Sequence, residues 1–176
     1  MLAGTLSARA LGGGFESRLV RAVREKLGAA YRISAGLHQL HPKALALVIS
    51  TAVDNSKAAA AIDAIRKEYD RLVFDGVPDA ELEPLKTKLV TEMGEQMRRA
   101  TGAAQRLRDL AQTDFPKDFL PTYATRVRAV GAAAVAKGIR LNMPKPPLTF
   151  IVVAPSAEGM GADCIIKAPE EIARCE

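Results

Sequence analysis

The sequence predicts an α+β fold in which helices pack on one face of an antiparallel sheet. Two strand-like runs around His41-Pro42 are followed by several stretches whose apolar residues recur at threes and fours. A further apolar, β-branched run, Leu148 to Pro155, comes after them. Since 176 residues are enough for one domain with a core, we expect one domain over residues 1–155 and a weakly patterned tail over 156–176.

The stretch LGGGFESRLVRAVREKLGAAY, Leu11 to Tyr31, predicts a glycine turn, a helix and a second glycine stop. Apolar residues follow helical spacing from Leu19 to Leu27, directly after Gly12, Gly13 and Gly14. Lys26 faces the carbonyl end of this helix, and Gly28 can adopt the left-handed conformation that ends it. The chain is therefore expected to reverse direction just before Tyr31.

Strands are predicted from their β-branched residues and from the prolines that bound them. The first two cover residues 31–40 (YRISAGLHQL) and 43–53 (KALALVISTAV), and they form a hairpin. A third strand is predicted over Leu148 to Pro155, and DCIIKA in the tail is a candidate for a short last strand.

Helices are predicted between the hairpin and the third strand. One begins after the cap Asp54-Asn55-Ser56 and ends at Asp75-Gly76. The next begins near Pro78-Asp79, and Pro84 predicts a start a few residues later. Further helices cover Ala103 to Ala111, Tyr123 to Val130, and the Ala-rich stretch from Gly131 to about Leu141. Residues 1–10 resemble the end of another helix, which predicts that the chain begins inside a domain.

Composition disfavours two classes of protein. The net charge of +5 arises from 25 basic and 20 acidic residues that are scattered along the chain. The basic clusters Arg98-Arg99 and Arg106/Arg108 lack interleaved aromatic residues, which disfavours a nucleic-acid-binding protein. No apolar run approaches the length of a membrane-spanning helix. Cys164 and Cys175 match no zinc-binding spacing, and they could form a disulfide or remain two free thiols.

Motifs for metal binding and nucleophilic catalysis are absent from this chain. Neither H-E-x-x-H nor H-x-x-E-H occurs, and His38 and His41 would point to opposite faces of a strand. No G-x-S-x-G occurs, and Gly12 to Gly14 lack the rest of a phosphate-binding motif. We therefore predict that the chain itself holds no metal ion.

Arg24 and Tyr31 are the residues with the most distinctive potential chemistry. The glycine reversal at Gly28 can bring the two side chains together, although they are seven residues apart. A guanidinium and a neutral phenol are donors suited to a carbonyl oxygen or to the oxyanion that it becomes. The alternative from spacing alone is a surface arginine and a half-buried strand tyrosine.

Three segments resemble the non-catalytic half of the insulinase, pitrilysin and mitochondrial processing peptidase family of zinc metallopeptidases. They are LGGGFESRLVRAVREKLGAAY, DAELEPLKTKLV and DFLPTYATRVRAVGAAAVAKGIRL with the following LTFIVVAP, in the family's order from Leu11 to Pro155. The resemblance implies a metallopeptidase half-domain of the pitrilysin and processing-peptidase type. It also implies that this chain lacks the first strand and most of the first helix of that domain.

The resemblance further implies roles for named residues and partners. Arg24 and Tyr31 would be catalytic donors that reach toward a zinc ion held by the H-x-x-E-H motif of a partner domain or subunit, while Gly12, Gly13, Gly14 and Phe15 would bind the polypeptide substrate. The chain would be inactive alone. A structural subunit, like the core proteins of the respiratory bc complex, is the alternative function, and self-association of the isolated chain is a further hypothesis.

Overall fold

The computed structural model describes residues 2–41, 44–112, 115–143, 145–168, 170–171 and 175. Six α-helices are described: α1 Leu2–Gly12, α2 Ala58–Asp75, α3 Asp79–Met97, α4 Ala100–Ala111, α5 Phe119–Arg128 and α6 Ala132–Asn142. A π-helix covers Val20–Lys26, and a 3-10 turn covers Asn55–Lys57. The predicted α+β class is confirmed.

The described sheet is an antiparallel hairpin of β1, Ala30–His41, and β2, Ala44–Val53. Ile33 lies opposite Thr51, Ala35 opposite Ile49, and Leu37 opposite Leu47. Because side chains alternate along a strand, the odd-numbered residues of this central stretch share one face. Ile33 is buried there, and Ala35, Leu47 and Ile49 pack against the core. The helices cover this face, as the sequence predicts.

The core lies between this face of the hairpin and the helices. Its fully buried large side chains come from five of the α-helices, from the π-helix and from the residue directly before the π-helix: Leu6, Leu11, Leu19, Val23, Tyr69, Leu72, Leu82, Val127, Val135 and Ile139. Helix α1 approaches α6 closely, because a Cβ atom on Gly138 would lie 2.8 Å from the Cβ atom of Ala3. The N-terminal segment is thus part of the packed domain.

The prediction of a strand over Leu148 to Pro155 is wrong. This segment borders a groove of about 660 Å³ whose other side is β2, but it does not belong to the two-stranded sheet. Ile151 and Val153 are 91% and 99% exposed. A strand needs a neighbouring backbone for its hydrogen bonds, and apolar composition alone cannot supply one. The tail segment DCIIKA likewise forms no strand in the described residues.

Helix α2 ends at the predicted Asp75, α4 and α5 begin three and four residues earlier than predicted, and the prediction at Pro84 needs a further correction. Helix α3 begins at Asp79 and includes Pro84, so the later start is wrong. The first turn of α3 is held by the Leu82 N–H, which donates to the Pro78 carbonyl at 3.0 Å. Arg18 also fastens this end of the helix, because its guanidinium binds the Glu81 carboxylate at 2.7 and 3.0 Å.

Candidate functional site

A groove of about 560 Å³ lies between α1, the following glycine turn, the π-helix and β1. It is lined by residues of all four elements, among them Gly12 to Phe15, Arg24 and the seven consecutive residues from Tyr31 to Leu37. Every residue that the sequence nominates as catalytic or substrate-binding therefore borders one groove.

The glycine turn is packed against α1 and β1. Gly12 is buried, and a Cβ atom on it would lie 2.6 Å from the Cβ atom of Ala35. A Cβ atom on Gly13 would meet Arg9 at 2.8 Å. Side chains at these two positions would push α1 away from β1 or distort its last turn. The glycines thus let the end of α1 lie directly against the strand.

The helix that carries Arg24 is wound as a π-helix. The Leu27 N–H donates to the Ala22 carbonyl at 3.3 Å, a five-residue step. Such wider turns are rare and often occur at functional sites. Gly28 follows with a φ of +54°, which is the left-handed conformation predicted for it. This reversal leads into β1, where Tyr31 is the second residue.

Arg24 lies between two exposed aromatic residues. Its Cζ atom is 5.4 Å from the ring centroid of Tyr31 and 5.4 Å from that of Phe15, distances within the range of cation–π attraction. Tyr31 is 88% exposed and Phe15 is 76% exposed. The predicted convergence of Arg24 and Tyr31 is confirmed, and the alternative of a half-buried tyrosine is wrong.

The contact between Phe15 and Arg24 was missed by sequence reasoning. The sequence nominates Phe15 only as a neighbour of the glycines, and nine residues separate it from Arg24. The signal that could have found it is an aromatic residue placed between a glycine turn and a helix that carries arginine. The structure thus adds a third side chain to the pair, since Phe15 and Tyr31 together restrict where the guanidinium can lie.

The charge of the groove lining is positive. Arg9, Arg24 and Arg32 line it, and no aspartate or glutamate does among the residues that the structure describes. Arg9 is neutralised by Glu92 at 2.6 Å. Within the described ranges, neither Arg24 nor Arg32 forms an ion pair. Among the described residues, the groove therefore presents two cationic side chains that have no ion-pair partner.

The residues considered for metals and thiol chemistry lie elsewhere. His38 is exposed, and the side chain of His41 lies outside the described residues. In the described part of the chain, no three His, Cys, Asp or Glu side chains gather as a metal site would require. Cys164 and Cys175 form a disulfide, which resolves the choice that the sequence leaves open. None of the described helices has both the length and the apolar character to span a membrane.

The fold and the groove define a class: an α+β half-domain that presents an arginine and a tyrosine at an open groove. The chain belongs to the family described as the peptidase M16 inactive domain, whose model matches residues 2–89. This finding confirms the resemblance to the non-catalytic half of the insulinase and pitrilysin peptidases. A search of curated proteins found no match.

Solved structures show the same fold. The chain is similar to the peptidase M16 inactive domain from Pseudomonas fluorescens, with a TM-score of 0.72 and 19% identity over 81% of this chain and 34% of that one. A protease from Helicobacter pylori matches with a TM-score of 0.68 and 19% identity over 78% of this chain and 33% of that one. The periplasmic protease PqqL from Escherichia coli matches with a TM-score of 0.67 and 13% identity over 81% and 15%. The chain thus spans about a third of the length of the first two.

Proposed function

We propose that this chain is an accessory domain of a zinc peptidase and supplies hydrogen-bond donors to a catalytic partner domain or subunit. The observation that carries the proposal is the position of Arg24, whose guanidinium lies 5.4 Å from the ring of the exposed Tyr31 at the rim of an open groove. Family membership and the proteases among the similar structures support it. The partner would carry H-x-x-E-H and hold the zinc ion, which supplies the activated water for peptide hydrolysis.

The two side chains suit a reacting peptide carbonyl. The guanidinium carries only donors, and the neutral phenol of Tyr31 can donate its O–H to the same oxygen. When water adds to the carbonyl carbon, negative charge develops on that oxygen, and donors held in place stabilise it more than they stabilise the substrate. Phe15 has a positioning role in this proposal, because its ring helps to hold the Arg24 guanidinium.

The test is peptide hydrolysis by the chain combined with its catalytic partner. Loss of a placed donor lowers rates by about a hundredfold, so we expect losses of that order for Arg24→Ala and Tyr31→Phe. Phe15→Leu should lower the rate of hydrolysis only about twofold to fivefold, which corresponds to the free energy of an exposed cation–π contact. Phe15→Tyr keeps an aromatic ring and should therefore keep the wild-type rate. Arg21→Ala is the matched control, since Arg21 is exposed on the same helix and does not line the groove.

Three results would contradict the proposal or favour its alternative. Unchanged rates for Arg24→Ala and Tyr31→Phe would remove the donor role. Unchanged rates together with an intact complex would favour the structural or assembly subunit instead. Finding no H-x-x-E-H in the partner would favour the same alternative.

A further inference from the structure

We infer that the groove beside Arg24 selects an extended peptide with an acidic side chain, and that Arg32 is the residue that binds its carboxylate. The inference names the substrate class of the groove and rests on the proposed function. It is carried by two independent features of the groove, its backbone edge and its charge.

The groove follows β1 on either side of Ala35, where the end of α1 lies against the strand. In the described sheet, β1 pairs only with β2. Tyr31 to Leu37 all line the groove without interruption. Because alternate side chains of a strand point to opposite faces, an unbroken run of lining residues means that the groove follows the edge of the strand. Such an edge can pair with an extended peptide through main-chain hydrogen bonds.

The charge of the groove supplies the selectivity. Arg9 is paired with Glu92 at 2.6 Å, and Arg24 lies against the rings of Phe15 and Tyr31. Arg32 is exposed, lines the same groove directly after Tyr31, and has no ion-pair partner among the described residues. A guanidinium in this state favours a carboxylate, which it can bind through two parallel hydrogen bonds. A peptide on the β1 edge would place one side chain beside Arg32.

The experiment is a titration of the isotope-labelled chain, followed by NMR, with three heptapeptides that differ only in a central Glu, Gln or Lys. Both peptide ends are blocked, so that a carboxylate can come only from the side chain. We expect shifts in the amide signals of residues 31–37. The Glu peptide should bind about twofold to fivefold more tightly than the Gln peptide, and the Lys peptide should bind most weakly. The preference should shrink as salt is added.

Variants of Arg32 distinguish carboxylate binding by this side chain from an effect of the net charge of the chain. Arg32→Gln should abolish the preference for Glu over Gln, and Arg32→Glu should reverse the order of the Glu and Lys peptides. Arg21→Glu changes the net charge equally at an exposed position outside the groove, and it should keep the original order.

Several outcomes would overturn the inference. Equal affinities for the Glu and Gln peptides would do so, and so would an unchanged order in Arg32→Glu or shifts confined to residues 148–155. These results are independent of hydrolysis, since no partner is present. Charge selection with unaffected rates for Arg24→Ala would leave this inference standing and overturn the donor role.

Discussion

Tyr69 is the largest fully buried side chain, with 1% of its surface exposed. Burial raises the pKa of its phenol to about 12, and the neighbouring Asp70 carboxylate adds to the effect. Removing water from the charged phenolate is the dominant cause. The folded chain therefore holds the Tyr69 proton at a pH where the unfolded chain has lost it.

This difference predicts a loss of stability in alkali. Because the pKa of Tyr69 is higher in the folded chain, it contributes stability that is fully present below 10.0, the pKa in the unfolded chain. This stability is lost as the pH rises through about 12. A shift of this size corresponds to about 2 to 3 kcal/mol in the free energy of unfolding. Urea unfolding from pH 9 to pH 12 should show a steeper decline for wild type than for Tyr69→Phe. Tyr31→Phe, which removes an exposed phenol, should keep the wild-type slope, and equal slopes for all three proteins would contradict the prediction.

At the scale of single residues, the candidate site was only partly predictable from the sequence. The pairing of Arg24 with Tyr31 could be predicted, because a helix stop at Gly28 is a local event and fixes where the chain reverses. The stacking of Phe15 and the free charge of Arg32 could not, because both depend on how α1 sits against β1. The lack of a carboxylate among the described residues that line the groove is a property of the whole lining and has no local sequence pattern.

At the scale of elements, the contact between α1 and β1 determines the shape of the groove. Gly12 lies where any side chain would enter the space occupied by Ala35. Gly94 offers the opposite case within α3, since a Cβ atom there meets nothing within 4 Å. Alanine substitutions at the two positions therefore distinguish the cost of overpacking at Gly12 from the gain in helix propensity at Gly94.

We expect Gly12→Ala to lower the free energy of unfolding by about 1 to 3 kcal/mol, the usual cost of overpacking. Gly94→Ala should raise it by about 0.5 to 1 kcal/mol, because alanine restricts the unfolded chain and favours the helix. Urea unfolding followed by far-UV circular dichroism measures both. Equal stabilisation by the two substitutions would show that α1 does not need the close approach.

The element predictions succeeded where the signals are local. Helices α2 and α6 lie close to their predicted ranges, because apolar spacing and the bounding residues Gly76 and Gly131 act within a few residues. The segment from Leu148 to Pro155 failed as a strand, because strand formation needs a partner edge that no local pattern can provide. Two of its apolar residues, Leu148 and Phe150, still pack against the core, whereas Ile151 and Val153 stay exposed.

At the scale of the whole molecule, one side of the domain leaves apolar surface uncovered. Ile151 and Val153 are almost fully exposed, and a groove of about 660 Å³ separates their segment from β2. Exposed apolar residues beside an unpaired strand edge favour association between chains.

We therefore expect the isolated chain to self-associate as its concentration rises, and Val153→Lys to weaken this association. Phe74→Lys is the matched control, because Phe74 is an exposed aromatic residue of α2 that does not line this groove. Neither change should alter the free energy of unfolding by more than about 0.5 kcal/mol, since both side chains are exposed. Sedimentation velocity at several concentrations measures the association, and equal behaviour of the two variants would place the interface elsewhere.

The sequence by itself determined the fold class, most of the helices and the hairpin, and it allowed Arg24 and Tyr31 to converge, because periodicity and glycine stops act over a few residues. The resemblance across Leu11 to Pro155 added the family. Only the tertiary structure decided that Leu148 to Pro155 stays outside the sheet, that Cys164 pairs with Cys175, and that Phe15 and Arg32 border the same groove as Arg24. These features depend on which segments of the folded chain meet, and those contacts are settled by packing of the whole chain.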